Sequence, residues 1–217
     1  MNPKQEVAKF TVTKIPENIV LGVGSGSTVE AFINELGKAK LRLKGIVAAS
    51  SSSENLLKTY GYECLDLNQV NEMPYYVDGA DEVTPGGLMI KGGGAALTRE
   101  KIISGVANKF ICMVEEKKVK DVLGDFSLPI EVIPMARSYV ARKIVIMGGH
   151  PTYRTGVNTD NGNVILDVIG FDFTNPFILE EKLNQITGVV CNGIFANRRA
   201  DEVLIADSAG AISTIKT

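Results

Sequence analysis

Residues 19–28 constrain the fold of this 217-residue chain more than any other stretch. Ile19-Val20-Leu21 is a bulky, largely β-branched run with no polar face, as a strand buried on both sides of a parallel sheet requires. It runs into Gly22-Val23-Gly24-Ser25-Gly26-Ser27-Thr28. Ser27 and Glu30 have the spacing of a capping box, so a helix should start there and run to about Leu36, before Gly37. Strand, glycine turn and helix N-terminus together make a cradle for phosphate. Glycines permit close approach, the first helical N–H groups are free, and Ser25, Ser27 and Thr28 add hydroxyls beside Gly26. The spacing is not the dinucleotide fingerprint, because Ser27 stands where the third glycine belongs. It also lacks the Gly-Lys-Ser/Thr ending of a Walker A loop. A tight turn with no ligand is the alternative reading, and the hydroxyl cluster favours a small phosphate ester.

The plan recurs. Gly45-Ile46-Val47-Ala48 reads as a strand, and Ser51 with Glu54 repeats the capping box, opening a helix through Leu57 and Lys58. Helix capping accounts for the serine run at 50–53. Residues 63–67 and 110–114 are further strand candidates, and residues 2–14 fit a short amphipathic helix ending before Pro16. Alternating strands and helices predict an α/β fold with a Rossmann-like, mostly parallel sheet that binds its ligand at the carboxyl ends of the strands.

The chemistry concentrates between residues 78 and 100. Pro74-Tyr75-Tyr76-Val77 reads as a strand, placing Asp78 and Asp81 just past its end. The short strand Leu88-Met89-Ile90 then leads into Lys91-Gly92-Gly93-Gly94, and a helix is expected to open at Ala95. Three glycines expose N–H groups and the helix adds its positive dipole end, which suits an anion or a developing oxyanion. On that helix Glu100 should lie beside Ala96, Ile103 and Ala107. A carboxylate in such surroundings should have a raised pKa and could serve as a base near neutral pH. The alternative is a solvated glutamate between Arg99 and Lys101. The upstream group Asp78, Asp81 and Lys91 favours the base.

After Pro129 the pattern changes to strand (130–133), helix (138–147), a hairpin around Asp160-Asn161-Gly162-Asn163 with arms at 154–157 and 164–168, a helix opening at Asn175-Pro176, and a strand (189–195). The order βαββαβ is the ferredoxin-like plan. Residues 127–197 are therefore expected to form a smaller inserted α+β lobe, with 1–126 and 198–217 as the Rossmann-like catalytic domain. Residues 203–206 should return to the first sheet. His150, the one histidine, is expected at a helix end or in a loop, without a metal or catalytic role.

Net charge of −2 leaves no electrostatic footprint for nucleic acid. Cys64, Cys112 and Cys191 have neither metal-ligand nor disulfide-framework spacing and suit reduced thiols. The polar start lacks a signal-peptide core, and no apolar run reaches the ~20 residues of a membrane span. A cytoplasmic protein with no membrane partner is expected.

The strings Val-Asp-Gly-Ala-Asp-Glu at 77–82 and Ile-Lys-Gly-Gly-Gly-Ala-Ala-Leu-Thr-Arg-Glu-Lys-Ile at 90–102 resemble the signature of the type A ribose-5-phosphate isomerase family. The resemblance extends to Ile-Pro-Met-Ala-Arg at 133–137 and Thr-Asp-Asn-Gly-Asn at 159–163. It implies reversible isomerisation of D-ribose 5-phosphate to D-ribulose 5-phosphate, a step of the pentose phosphate pathway, without metal or organic cofactor. It further implies Glu100, Asp81, Lys91 and Asp78 as catalytic residues. Ser25, Gly26, Ser27, Thr28, Gly79, Ala80, Gly92, Gly93, Gly94 and Lys118 would bind substrate. Lys118 rests on the resemblance, since its surroundings read equally as a solvated charge run. The N-terminus departs from the family pattern, being short and carrying Pro16, and leaves the role of Lys4 open as the phosphate-contacting lysine of relatives. A homodimer or homotetramer is implied. Two other classes compete: a sugar-phosphate sensor without catalysis, and a coenzyme A transferase with a glutamate nucleophile.

Overall fold

The computed structural model describes residues 2–217. Helix α1 (Pro3–Val12) precedes strand β1 (Val20–Val23), helix α2 (Ser27–Ala39), strand β2 (Gly45–Ala48) and helix α3 (Ser51–Thr59). Strands β3 (Tyr75–Gly79), β4 (Glu82–Val83) and β5 (Met89–Ile90) lead to helix α4 (Leu97–Val106) and strand β6 (Lys109–Glu115). Next come β7 (Leu128–Val132), α5 (Arg137–Ile146), β8 (His150–Tyr153), β9 (Val164–Ile169) and α6 (Pro176–Asn184). Strands β10 (Val189–Asn192), β11 (Ile194–Phe195), β12 (Glu202–Ala206) and β13 (Ile212–Lys216) close the chain. The chain divides into two compact units. The first holds residues up to Ala80, Arg99–Val119 and Ala200–Thr217; the second holds Asp81–Thr98 and Lys120–Arg199. The second unit thus takes in more than the lobe expected over 127–197, adding the stretch that carries Asp81 and Lys91.

The first unit is built on a six-stranded sheet in the order β13-β12-β6-β3-β1-β2. Five strands run parallel, and β13 turns back antiparallel on β12. β1 pairs with β2 on one side and β3 on the other, so the order reverses there. A parallel sheet opens a crevice at such a point, outside the carboxyl ends of its strands. Leu21, Val23, Ile46, Val77, Ile111 and Leu204 are fully buried with the apolar stripes of α1 and α2, which explains the unbroken apolar runs.

Local details differ from the sequence reading for identifiable reasons. Ser27 is not the cap of α2; Gly26 holds that position, and Ser27 is the first helical residue. In α3 the cap is Ser50, whose hydroxyl accepts from the Ser53 N–H at 3.1 Å. α2 runs past Gly37 because that glycine makes room rather than a stop: a Cβ there would lie 2.2 Å from the Tyr60 ring. Residues 63–67 do not form a strand. Only Cys64 bridges Ile46, and the Asp66 side chain then accepts from the Asn68 N–H at 2.9 Å, turning the chain into a short 3-10 helix. The expected strand at 74–77 extends through Gly79, so Asp78 lies within β3 rather than past it.

In the second unit, β7, α5, β8, β9, α6 and β10 follow the ferredoxin-like plan, with sheet order β10-β7-β9-β8 and antiparallel neighbours throughout. Leu128, Ile130, Val132, Val140, Ile144 and Leu183 fill its core. The expected hairpin forms around Gly162, but its first arm is β8 at 150–153; Arg154 marks its end, with its N–H on Ile165 O at 3.0 Å. His150 is therefore an exposed strand residue and not a helix terminus. The expected single strand over 189–195 is two. At Gly193 the chain leaves β7 and, as β11, joins β5 and β4 in a three-stranded sheet. A Cβ at Gly193 would lie 2.3 Å from Lys91 O, so the crossover requires glycine.

Glu202 opens β12 with its side chain buried, and Lys14 Nζ and Lys109 Nζ each lie 2.5 Å from one of its oxygens. Burial pushes its pKa up, but hydrogen bonds and charges from Lys109 and Lys14 outweigh that and hold it below the ordinary value of 4.5. Its stabilising contribution is present above that value and is lost as pH falls through the depressed one. Thermal melts from pH 7 to pH 3 should show Glu202→Gln melting below wild type at neutral pH, with the gap closing below about pH 4.5. A gap that is constant across this range would rule the carboxylate out as its origin.

Candidate active site

In the first unit Ser25, Asp78 and Glu100 come together beside the loop that follows β1. The loop after β1 is pinned on two sides: Gly24 N–H donates to Val77 O at 2.9 Å, and the buried Ser53 hydroxyl donates to Gly24 O at 2.8 Å. Ser53, from the run assigned to capping alone, thus supports the loop. Gly24 is where the loop presses on Asp78, since a Cβ there would fall 1.9 Å from the Asp78 carboxyl carbon. Gly26 and Ser27 are exposed and Thr28 half-buried, at the open first turn of α2. Ser27 Oγ accepts from Lys4 Nζ at 2.8 Å, so α1 brings an ammonium group to that turn. Lys118 is half-buried in the turn after β6, the strand that neighbours β3 in the sheet.

Ser25 links two buried carboxylates. Its main-chain N–H donates to Asp78 Oδ1 at 3.2 Å, and its hydroxyl donates to Glu100 Oε1 at 2.7 Å. Asp78 is fully buried and Glu100 is 3% exposed, so Glu100 is not the solvated helix residue of the alternative reading. Asp78 also accepts from the Gly79 N–H at 2.7 Å and from the Tyr76 hydroxyl. Tyr76 is buried too. Burial first, then the charges of Asp78 and Glu100, hold its phenol well above the ordinary tyrosine range, so it stays protonated and donates. Tyr76 was absent from the candidates, although its place two residues before Asp78 on one strand puts both side chains on one face. Ala80, half-buried, ends this segment.

In the second unit Asp81 and the glycine loop form one structure. Asp81 N–H donates to Ile90 O at 2.9 Å, and Asp81 Oδ2 accepts from the Gly93 N–H at 2.8 Å. That donor, expected to face a ligand, is therefore engaged by the aspartate. Lys91 is 3% exposed; its N–H donates to Gly193 O at 2.9 Å, and its ammonium lies 5.5 Å from the centre of the Phe195 ring. Ala95 does not open the helix. It is left-handed at φ 61° and closes a turn through its N–H to Gly92 O at 2.9 Å, so α4 begins at Leu97. Thr98 donates to the buried Glu131, which also accepts from Thr159 Oγ1 at 2.7 Å and Asn163 Nδ2 at 2.8 Å.

Among the described residues no group of three or more His, Cys, Asp and Glu side chains could hold a metal ion, and no helix is long and apolar enough to cross a membrane. The buried carboxylates, an ammonium group and a hydroxyl-rich helix start are suited to moving protons on an anionic substrate.

Comparison with known proteins points the same way. A family model described as ribose 5-phosphate isomerase A (phosphoriboisomerase A) matches residues 45–210. Ribose-5-phosphate isomerase A of Legionella pneumophila (strain Corby) is 54% identical over 207 residues, covering 95% of this chain and 96% of the relative. The crystal structure of ribose 5-phosphate isomerase A from Neisseria gonorrhoeae matches with a TM-score of 0.96 at 42% identity, covering 99% and 96% of the two chains. A D-ribose-5-phosphate isomerase in complex with phospho-erythronic acid matches with a TM-score of 0.94 at 36% identity, with each chain covered in full.

Replacing Tyr76 by Phe removes a donor from a buried carboxylate while keeping the ring. Chemical denaturation of Tyr76→Phe at pH 7 should show a loss of about 1–3 kcal/mol, the cost of leaving such a group short of a partner. An unchanged denaturation midpoint would contradict the hydrogen bond's role.

Proposed function

This chain belongs to the ribose 5-phosphate isomerase A family, and on that premise we propose how its residues interconvert D-ribose 5-phosphate and D-ribulose 5-phosphate. The reaction moves hydrogen between C1 and C2 of an open-chain sugar. Glu100 is the general base. It takes the C2 proton; the C–H electron pair becomes the C1=C2 double bond and the carbonyl pair moves onto O1, giving an enediolate. Glu100 then returns the proton to C1, while Asp81 carries a proton from the C2 hydroxyl to O1. Lys91 and the glycine-loop N–H groups that Asp81 does not engage stabilise the negative oxygen, where preorganised donors contribute most. Asp78 positions sugar hydroxyls with Gly79 and Ala80. Each of these transfers runs between side chains and substrate, and the scheme uses no metal or organic cofactor.

The observation that carries this reading is the burial of Glu100 with its Oε1 held by the Ser25 hydroxyl. A base must be shielded from water yet aimed, and a hydroxyl from the glycine loop does the aiming. Ser25 is accordingly a partner of the base, while Gly26, Ser27 and Thr28 hold the phosphate with Lys4 and Lys118. Phosphate binding far from the reacting carbons supplies the energy that orients the sugar. A homodimer or homotetramer in the cytoplasm completes the proposal, on the family resemblance and the thiol cysteines.

Purified protein mixed with ribose 5-phosphate and EDTA should form ketose. Glu100→Gln should lower kcat by at least about 100-fold, the ordinary contribution of a general base, with KM nearly unchanged. It should also stop the exchange of the C2 hydrogen with deuterated solvent. Near-normal turnover in this variant would refute the assignment.

A further inference from the structure

We propose that Arg154 is a positioning residue that sets the direction of the Gly92–Gly93 and Gly93–Gly94 peptides, making the Gly94 N–H a donor to the enediolate oxygen. This rests on the reaction proposed above. Arg154 stands at the end of β8 in the second unit, far in sequence from the glycine loop. Its Nη1 donates to both Gly92 O, at 3.2 Å, and Gly93 O, at 3.0 Å. Its Nε and Nη2 donate to the two oxygens of Asp167 on β9, at 2.8 and 2.5 Å. The fork is thus fixed by its carboxylate partner while its remaining edge reads two successive carbonyls, a geometry available to a planar guanidinium and not to an ammonium.

A trans peptide points its N–H opposite to its C=O. With both carbonyls drawn to Arg154, the Gly93 and Gly94 N–H groups must face away from it, to a common side. Gly93 shows which side: its N–H is on Asp81 Oδ2 at 2.8 Å. The Gly94 N–H points the same way, beside the residue assigned to proton transfer between the substrate oxygens, at an exposed glycine. Consecutive N–H groups arranged like this form a concavity for an anion. The glycines carry no side chains to hold that orientation, and the loop's own turn bond, Ala95 N–H to Gly92 O at 2.9 Å, reaches only one of the two carbonyls, so the second needs a holder from outside. The guanidinium supplies it, and Thr98, held by Glu131, fixes the loop's far end.

The test is Arg154→Lys, which keeps the charge and can still pair with Asp167. Steady-state kinetics should show kcat for ribose 5-phosphate reduced by about 10- to 100-fold, the loss expected when one oxyanion donor is misdirected, with KM within about twofold. Affinity for phospho-erythronic acid, whose carboxylate imitates the enediolate, should fall by a similar factor. Affinity for ribitol 5-phosphate, which carries no such group, should hold. Asp167→Asn, which leaves the guanidinium in place with a weaker partner, should lose less than Arg154→Lys. Wild-type kcat in Arg154→Lys overturns the proposal, as does an equal loss of affinity for both ligands, which a general disturbance of the fold would give. A wild type that does not isomerise ribose 5-phosphate overturns the reaction and this assignment with it.

Discussion

The contact on which the first unit's chemistry depends is the approach of the glycine loop to Asp78. Two carboxylates are buried beside one another's hydrogen-bond partners, an arrangement that costs several kcal/mol per ion unless donors are close and fixed. Ser25 provides donors to both, one from its main chain and one from its side chain, and it can do so only because Gly24 carries no Cβ where the Asp78 carboxyl lies. Tyr76 adds a phenol that burial and the nearby negative charge keep protonated. The loop named for phosphate is thus equally the loop that makes a buried base tolerable. In the proposed scheme, substrate capture and base placement share one turn of backbone.

How much of this could be read beforehand divides along the range of the interaction. Parallel strands announced themselves as apolar runs, and the ferredoxin-like order followed from turn signals such as Asn175-Pro176 and Asp160-Asn161-Gly162-Asn163, because those features depend on neighbours in sequence. Boundaries failed where a distant contact decided them. Gly37 reads as a helix stop until Tyr60 is seen lying over it, and residues 63–67 read as a strand until Asp66 is seen turning the chain. Ala95 reads as a helix start, but the turn to Gly92 takes it left-handed.

The same division holds for the residues of the candidate site. Glu100, Asp78, Asp81 and Lys91 were legible as unusual chemistry packed into a short stretch with glycines. Tyr76 was legible in principle, from its spacing to Asp78. Arg154, Asp167 and Glu131 were not, because nothing local marks an arginine at the end of a hairpin arm as a partner of carbonyls about sixty residues earlier. Charged residues that serve the backbone rather than the ligand leave no motif. They are found only by asking where each main-chain group of a glycine loop is satisfied.

Gly193 has a consequence for how relatives of this chain can vary. Strand side chains alternate with a period of two, so one residue inserted or deleted near the crossover would turn Phe195 to the opposite face of its sheet. The ring would then leave the ammonium of Lys91, whose own amide is tied to Gly193. Length changes should therefore collect elsewhere, in exposed turns whose residues hold neither a strand register nor a buried partner. The spacing from 191 to 195 should stay fixed through lineages that have otherwise drifted far apart.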